Sequence, residues 1–298
     1  MKYFFLLFFL STNLAAKISI ITTTPDLAWM AKEIGQDLIK VESLLYGTED
    51  PHYIDVVPSF IAKVSKADIV CAVGFDLEVG WLPRVLARSG KAHLQPGGKG
   101  YCELGRAVTA LGKVEGKIDR SMGDVHAGGN PHFTLSPSAF LQGATEIVSA
   151  LKRVDAKNAE AYETQFEVVK EKLLSLEGEL REKIKQQAPQ LVFMEYHRDF
   201  LYFNETYKVN SIGALEEIPG VLPSAAQLAR RSIEAREAGV KILMAGLGAP
   251  ENQLKRFQEL SQVPFIKAPL ILETSGSFSD YVYLQRFLVD KLIEYANK

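Results

Sequence analysis

Short apolar runs alternate with longer amphipathic stretches along most of this chain, a pattern that predicts strands returned by helices over a largely parallel sheet. In the first half, strands are expected at residues 17–21, 39–45, 69–73 and, weakly marked, 92–94, with helices at 26–34, 58–66 and 78–89. The second half repeats the pattern with strands at 191–195, 209–212 and 242–245 and helices at 225–238 and 251–259. The apolar run 265–272 is strand-like, but Pro269 makes it irregular or an edge. Between the halves, residues 155–185 hold no proline, one glycine and strong helix formers almost throughout. Tyr162, Phe166, Val169, Leu173, Leu176 and Leu180 recur there at three- and four-residue steps, which gives one long helix with a single buried stripe. The expected class is α/β, with a signal segment at 1–16, a lobe at 17–154, a linking helix at 155–187 and a second lobe at 188–298.

Residues 1–16 have the form of an export signal: Lys2, a short apolar core from Tyr3 to Leu10, and the small residues Ala15 and Ala16. That core is too short to span a bilayer, and no later stretch reaches the ~20 apolar residues a spanning helix needs. A soluble periplasmic protein is expected. No cysteine stands at the cleavage site to take a lipid, which favours a free over an anchored protein; a monomer is expected. The 34 basic and 36 acidic residues nearly cancel, with no basic stretch, which argues against nucleic acid as a partner. The two cysteines, Cys71 and Cys102, either pair in an oxidising compartment or remain buried thiols.

The candidate chemistry lies in three histidines: His52 in Asp50-Pro51-His52, His132 in Asn130-Pro131-His132, and His197 after the apolar run 191–196. Their wide spacing excludes a local zinc finger or ribbon, so only the tertiary fold can bring them together. His52 and His197 follow predicted strands, and His132 precedes Ser136-Pro137, a helix cap followed by a first-turn proline. Ligands of parallel α/β sheets gather at such loops beyond the carboxyl ends of strands. A carboxylate would complete a tetrahedral site, with Glu273 the first choice and Asp280 the alternative. His126, in the glycine-rich segment 123–129, is an auxiliary candidate, and Glu78 a carboxylate suited to orienting a ring. His93 has no converging neighbours. A zinc-dependent hydrolase is the rival reading, but no His-Glu-x-x-His pattern occurs. Glu195, the one carboxylate beside His197, points to the other strand face by alternation.

These motifs, in this order, resemble the solute-binding receptors of bacterial zinc and manganese ABC transporters. The resemblance is carried by Asp50-Pro51-His52 with Pro58-Ser59, by 67–70 through Gly74-Phe75-Asp76-Leu77-Glu78 with Trp81-Leu82, by Gly129-Asn130-Pro131-His132, by Tyr196-His197-Arg198-Asp199-Phe200 and by the loop 218–224. It implies two Rossmann-like lobes with mostly parallel sheets, joined by one long rigid helix, and a metal site in the interlobe cleft. It further implies capture of a divalent metal ion and delivery to a membrane permease, with no catalysis; three imidazoles and one carboxylate favour zinc as the cargo over manganese or iron. Departures include Ser136 where the family usually has Asp, and Ala245-Gly246-Leu247 where it often has an acid. Only His126 stands in the 112–129 region that is often histidine-rich in zinc receptors.

Overall fold

Each half of the chain builds a four-stranded parallel sheet, and the two sheets repeat one strand order. The computed structural model describes residues 17–114, 122–123 and 125–298; the expected signal at 1–16 lies outside the described residues. In the first sheet β1 (Ile18–Thr22), β2 (Ile39–Ser43), β3 (Ile69–Ala72) and β4 (Tyr101–Glu103) lie in the order β2-β1-β3-β4. In the second, β5 (Val192–Glu195), β6 (Asn210–Ala214), β7 (Leu243–Gly246) and β8 (Phe265–Ala268) lie in the order β6-β5-β7-β8. The central strands are buried on both faces, hence their unbroken apolar runs.

Nine α-helices cover these sheets among the described residues: α1 (Pro25–Gly35), α2 (Pro58–Val64), α3 (Leu82–Ser89), α4 (Pro137–Val154), α5 (Ala159–Gln187), α6 (Leu201–Tyr207), α7 (Ala225–Glu237), α8 (Glu251–Ser261) and α9 (Tyr281–Ala296). The long helix is α5, whose 29 residues extend about 44 Å at ~1.5 Å per residue. Its stripe is buried as expected except at Phe166, which is only partly covered. Two local expectations need correction. Residues 92–94 form a single 3-10 turn, and the edge strand is β4, short and preceded by three glycines within residues 97–100. The third helix begins at Leu82 and not at Glu78, because Phe75 and Asp76 take left-handed backbone angles and hold the chain in turns up to Trp81.

One apolar interior serves both sheets. It joins Ile20, Leu27 and Ile69 from the first half to Phe193, Met244 and Ala268 from the second, through Leu173 and Leu180 of α5 and Leu288 and Leu292 of α9. Smaller clusters fill the outer face of each sheet. The terminal helix α9 reaches across to the first half, where the Tyr281 hydroxyl donates to the Thr134 carbonyl at 2.7 Å. Gln285 Nε2 donates to the Leu135 carbonyl at 3.2 Å. A second seam lies at residues 272–274: Leu272 N donates to Asp26 Oδ1 at 3.1 Å and Thr274 N to the Tyr46 carbonyl at 3.0 Å. Burial pushes the Asp26 carboxyl up to about 7, despite the hydrogen bond from Leu272. Gly47 sits in this seam at φ +96°, where an added Cβ would lie 2.0 Å from the Leu272 carbonyl oxygen.

Cys71 and Cys102 occupy directly registered positions on β3 and β4, with Cα atoms 4.4 Å apart, and form a disulfide. It staples the short edge strand to the sheet. Replacing both cysteines by alanine is expected to cost about 2–5 kcal/mol in denaturant unfolding while leaving metal affinity intact. Gly47→Ala is expected to lower the midpoint of thermal unfolding by the equivalent of about 1–3 kcal/mol, because strained backbone and steric overlap fall on the seam between the halves.

Candidate metal centre

His52 stands in the loop between β2 and α2, and Asp50 holds it twice. Asp50 Oδ1 accepts from the His52 backbone N at 3.0 Å and faces ring Nδ1 at 2.7 Å. Trp81 Nε1 donates to the Pro51 carbonyl at 2.8 Å and pins the same loop to the start of α3. The His52 contacts keep the Asp50 carboxyl below its ordinary range, although burial alone would raise it.

His197 follows β5 directly. The β5–β6 ladder continues past the strand ends, with Leu215 N on the Glu195 carbonyl at 2.7 Å and Glu216 N on the Tyr196 carbonyl at 3.0 Å. That register sets Glu216 beside His197, and Glu216 Oε2 pairs with ring Nδ1 at 2.9 Å. The turn beyond is anchored by Glu195, which accepts from Phe200 N at 2.7 Å and Ser211 Oγ at 3.2 Å. Burial raises the Glu195 carboxyl to about 7. Its bonds to the backbone and to Ser211 mark it as a support of the loop.

His132 lies in a 3-10 turn ahead of α4, whose N-cap is Ser136, accepting from Ala139 N at 3.2 Å. Asn130 ties this turn to the His197 loop: its Oδ1 accepts from His132 N at 2.9 Å, and its Nδ2 donates to the Arg198 carbonyl at 2.7 Å.

The three rings converge. Ring centroids are 5.6 Å apart for His52–His132, 5.8 Å for His52–His197 and 5.5 Å for His132–His197. One ring nitrogen from each lies within 4.8 Å of the other two. Such a group of imidazoles suits a divalent transition metal, and two of the rings already have the carboxylate support typical of metal-bound histidine. They line a cleft of about 320 Å³ bounded by loops from both halves.

Protonation follows the local charges. Burial, and then the neighbouring rings, hold His132 well below its ordinary range, and its Nε2 is buried without a hydrogen-bond partner. Burial would also lower His197, but the Asp199 charge, the Glu216 hydrogen bond and charge, and the Asp50 charge outweigh it and raise the ring to about 9. His126 joins the cluster from the glycine-rich segment, its Nε2 3.2 Å from His52 Nε2, and burial brings it down to about 4.

The carboxylates proposed from sequence are not at this cluster. Glu273 lies in the seam, its backbone N on the Phe278 carbonyl at 2.9 Å, and Asp280 is the exposed N-cap of α9, accepting from Tyr283 N at 2.8 Å. Neither lines the cleft. Pro269 ends β8 early and the chain turns into the seam. Glu78 touches no histidine either; it is buried and accepts from Thr23 Oγ1, Val73 N and Gly74 N. The carboxylates near the rings are Asp50, Glu216 and Asp199, the last with Oδ1 3.5 Å from His132 Nε2. Asp50 and Asp199 sit two residues from histidines in the motifs already singled out, which was a legible signal. Glu216 is 19 residues from His197, and only the strand ladder relates them.

The model of the family described as zinc-uptake complex component A, periplasmic, matches residues 20–295. Among curated proteins, the manganese ABC transporter substrate-binding lipoprotein PsaA of Streptococcus pneumoniae is 24% identical over 97% of this chain and 92% of its own length. The metal ABC transporter substrate-binding lipoprotein FimA of Streptococcus parasanguinis is 23% identical over 95% and 91%. Among solved structures, a zinc-bound deletion mutant of ZnuA superposes with a TM-score of 0.78 at 22% identity, over 94% of this chain and 98% of that one. The manganese-bound periplasmic metal-binding protein of Candidatus Liberibacter asiaticus does so with a TM-score of 0.76 at 18% identity, over 94% and 100%. The chain therefore belongs to the ZnuA family of metal-binding receptors of zinc and manganese ABC transporters, which are extracytoplasmic solute-binding proteins and not enzymes.

Proposed function

We propose that this receptor captures zinc in the periplasm through His52, His132 and His197 and hands it to the permease of its transporter. The observation that carries this reading is the convergence of three imidazole nitrogens within 4.8 Å, with Asp50 and Glu216 behind two of the rings. Nitrogen-rich sites suit zinc, whereas manganese is better served by more oxygen donors. Manganese is the second reading, favoured by the named cargo of PsaA. Export by residues 1–16 and life as a free monomer complete the proposal.

Competitive titration of chelator-stripped protein with zinc and manganese tests the cargo. One tightly bound zinc is expected, with manganese much weaker; the reverse order would keep the family and change the metal. His197→Ala is expected to weaken zinc binding by about 100-fold or more, and Glu216→Gln by about 10- to 100-fold, with secondary structure unchanged by circular dichroism.

Metal binding should also release protons. Metal needs a ring nitrogen free of its proton, and His197 is raised to about 9, so at pH 7 the incoming metal displaces a proton from it. His126 and His132 are shifted the other way and add nothing at that pH. Apparent zinc affinity is therefore expected to rise by about tenfold per pH unit from 7 toward 9 and then level. Calorimetry in buffers of different ionisation enthalpy would read net proton release on zinc binding at pH 7.

A further inference from the structure

Among the described residues, three carboxylates approach His52, His132 and His197, and two are already committed. Asp50 and Glu216 each face the Nδ1 of a ring, and each also accepts a backbone N–H, from His52 and Gly220 respectively. Asp199 is different. It is 7% exposed, and among the described residues its carboxylate has one close partner, His132 Nε2 at 3.5 Å. That separation is long for a hydrogen bond, and His132 Nε2 is itself buried and unpartnered. It is close to one edge of a metal tetrahedron, where donors about 2.0–2.1 Å from one zinc ion stand about 3.3–3.4 Å apart; Asp199 flanks the three-histidine group on the His132 side and would close on it with the metal.

The backbone presents Asp199 rigidly. Asp199 N donates to the His197 carbonyl at 2.8 Å, so the two residues form one tight turn. Asn130 holds Arg198 on one side of Asp199, and Glu195 holds Phe200 N on the other. No described residue donates a hydrogen bond to this nearly buried carboxylate, and the charge of the His197 ring already acts on it, so the position suits a cation. The neighbouring ring atom faces the same point with no other partner. We propose that Asp199 is the fourth, anionic ligand of the cargo metal, supplying one carboxylate oxygen beside the nitrogens of His52, His132 and His197. Glu273 and Asp280 then play no part in coordination. This rests on the metal-capture reading.

The test uses the full mature protein with zinc for affinity and cobalt(II) as a spectroscopic probe, comparing wild type with Asp199→Asn, Glu273→Gln and Asp280→Asn. Asn keeps the shape of Asp and removes the anion, so the apo variant should unfold at a temperature no lower than wild type. Expected for Asp199→Asn are a loss of zinc affinity of about tenfold or more and a changed visible cobalt spectrum, while the other two variants match wild type in both. A wild-type cobalt spectrum in Asp199→Asn would overturn the assignment even if affinity fell, because a residue acting only through His132 leaves the donor set intact. So would a changed spectrum in Glu273→Gln or Asp280→Asn with none in Asp199→Asn. Failure of the capture reading looks different: the wild type itself would bind neither metal.

Discussion

The site depends on pairing imidazoles with carboxylates inside a largely buried cleft. Asp50 and His52 come from the first half, His197 and Glu216 from the second, and each pair is set by backbone that the fold determines. Asp50 is positioned by its own turn, Glu216 by the extended β5–β6 ladder. Each pairing fixes which ring nitrogen is left for a ligand, because the other is committed to an acceptor. The same negative charges that raise His197 make the cleft attractive to a divalent cation. A protonated His197 and a divalent cation thus compete for the same negative charges.

The supporting framework consists of residues that bond the backbone around the cluster and not its ring nitrogens. Glu195 holds the turn that carries Asp199, Trp81 holds the loop that carries His52, and Asn130 joins the His132 turn to the His197 loop. Replacing any of these would move a ligand without removing one. Precision in such sites comes from buried hydrogen bonds of this kind, since loop backbone alone does not hold donors to within half an ångström.

Much of this was legible in the chain. The strand–helix alternation gave the two parallel sheets and α5, and the positions of His52, His132 and His197 at loop ends gave the cluster. The misses have physical causes. β4 is three residues long and takes its place from pairing with β3, which leaves no local pattern. The helix α9 was overlooked although Leu284, Leu288 and Leu292 repeat at helical spacing. An acid after a strand-like run, as at Glu273, fits the general rule for parallel sheets, but the seam to Asp26 and Tyr46 takes that segment elsewhere. Whether the sulfurs pair was open in the sequence, and the β3–β4 register brings them together.

The shared apolar interior also bears on how cargo leaves. Swinging the halves apart as separate bodies would wet Phe193, Leu173 and Leu288 together, at about 25 cal/mol for each square ångström exposed. Any route for cargo that leaves this interior closed runs through the loops at the rim of the cleft, which Trp81 and Asn130 hold by side-chain hydrogen bonds.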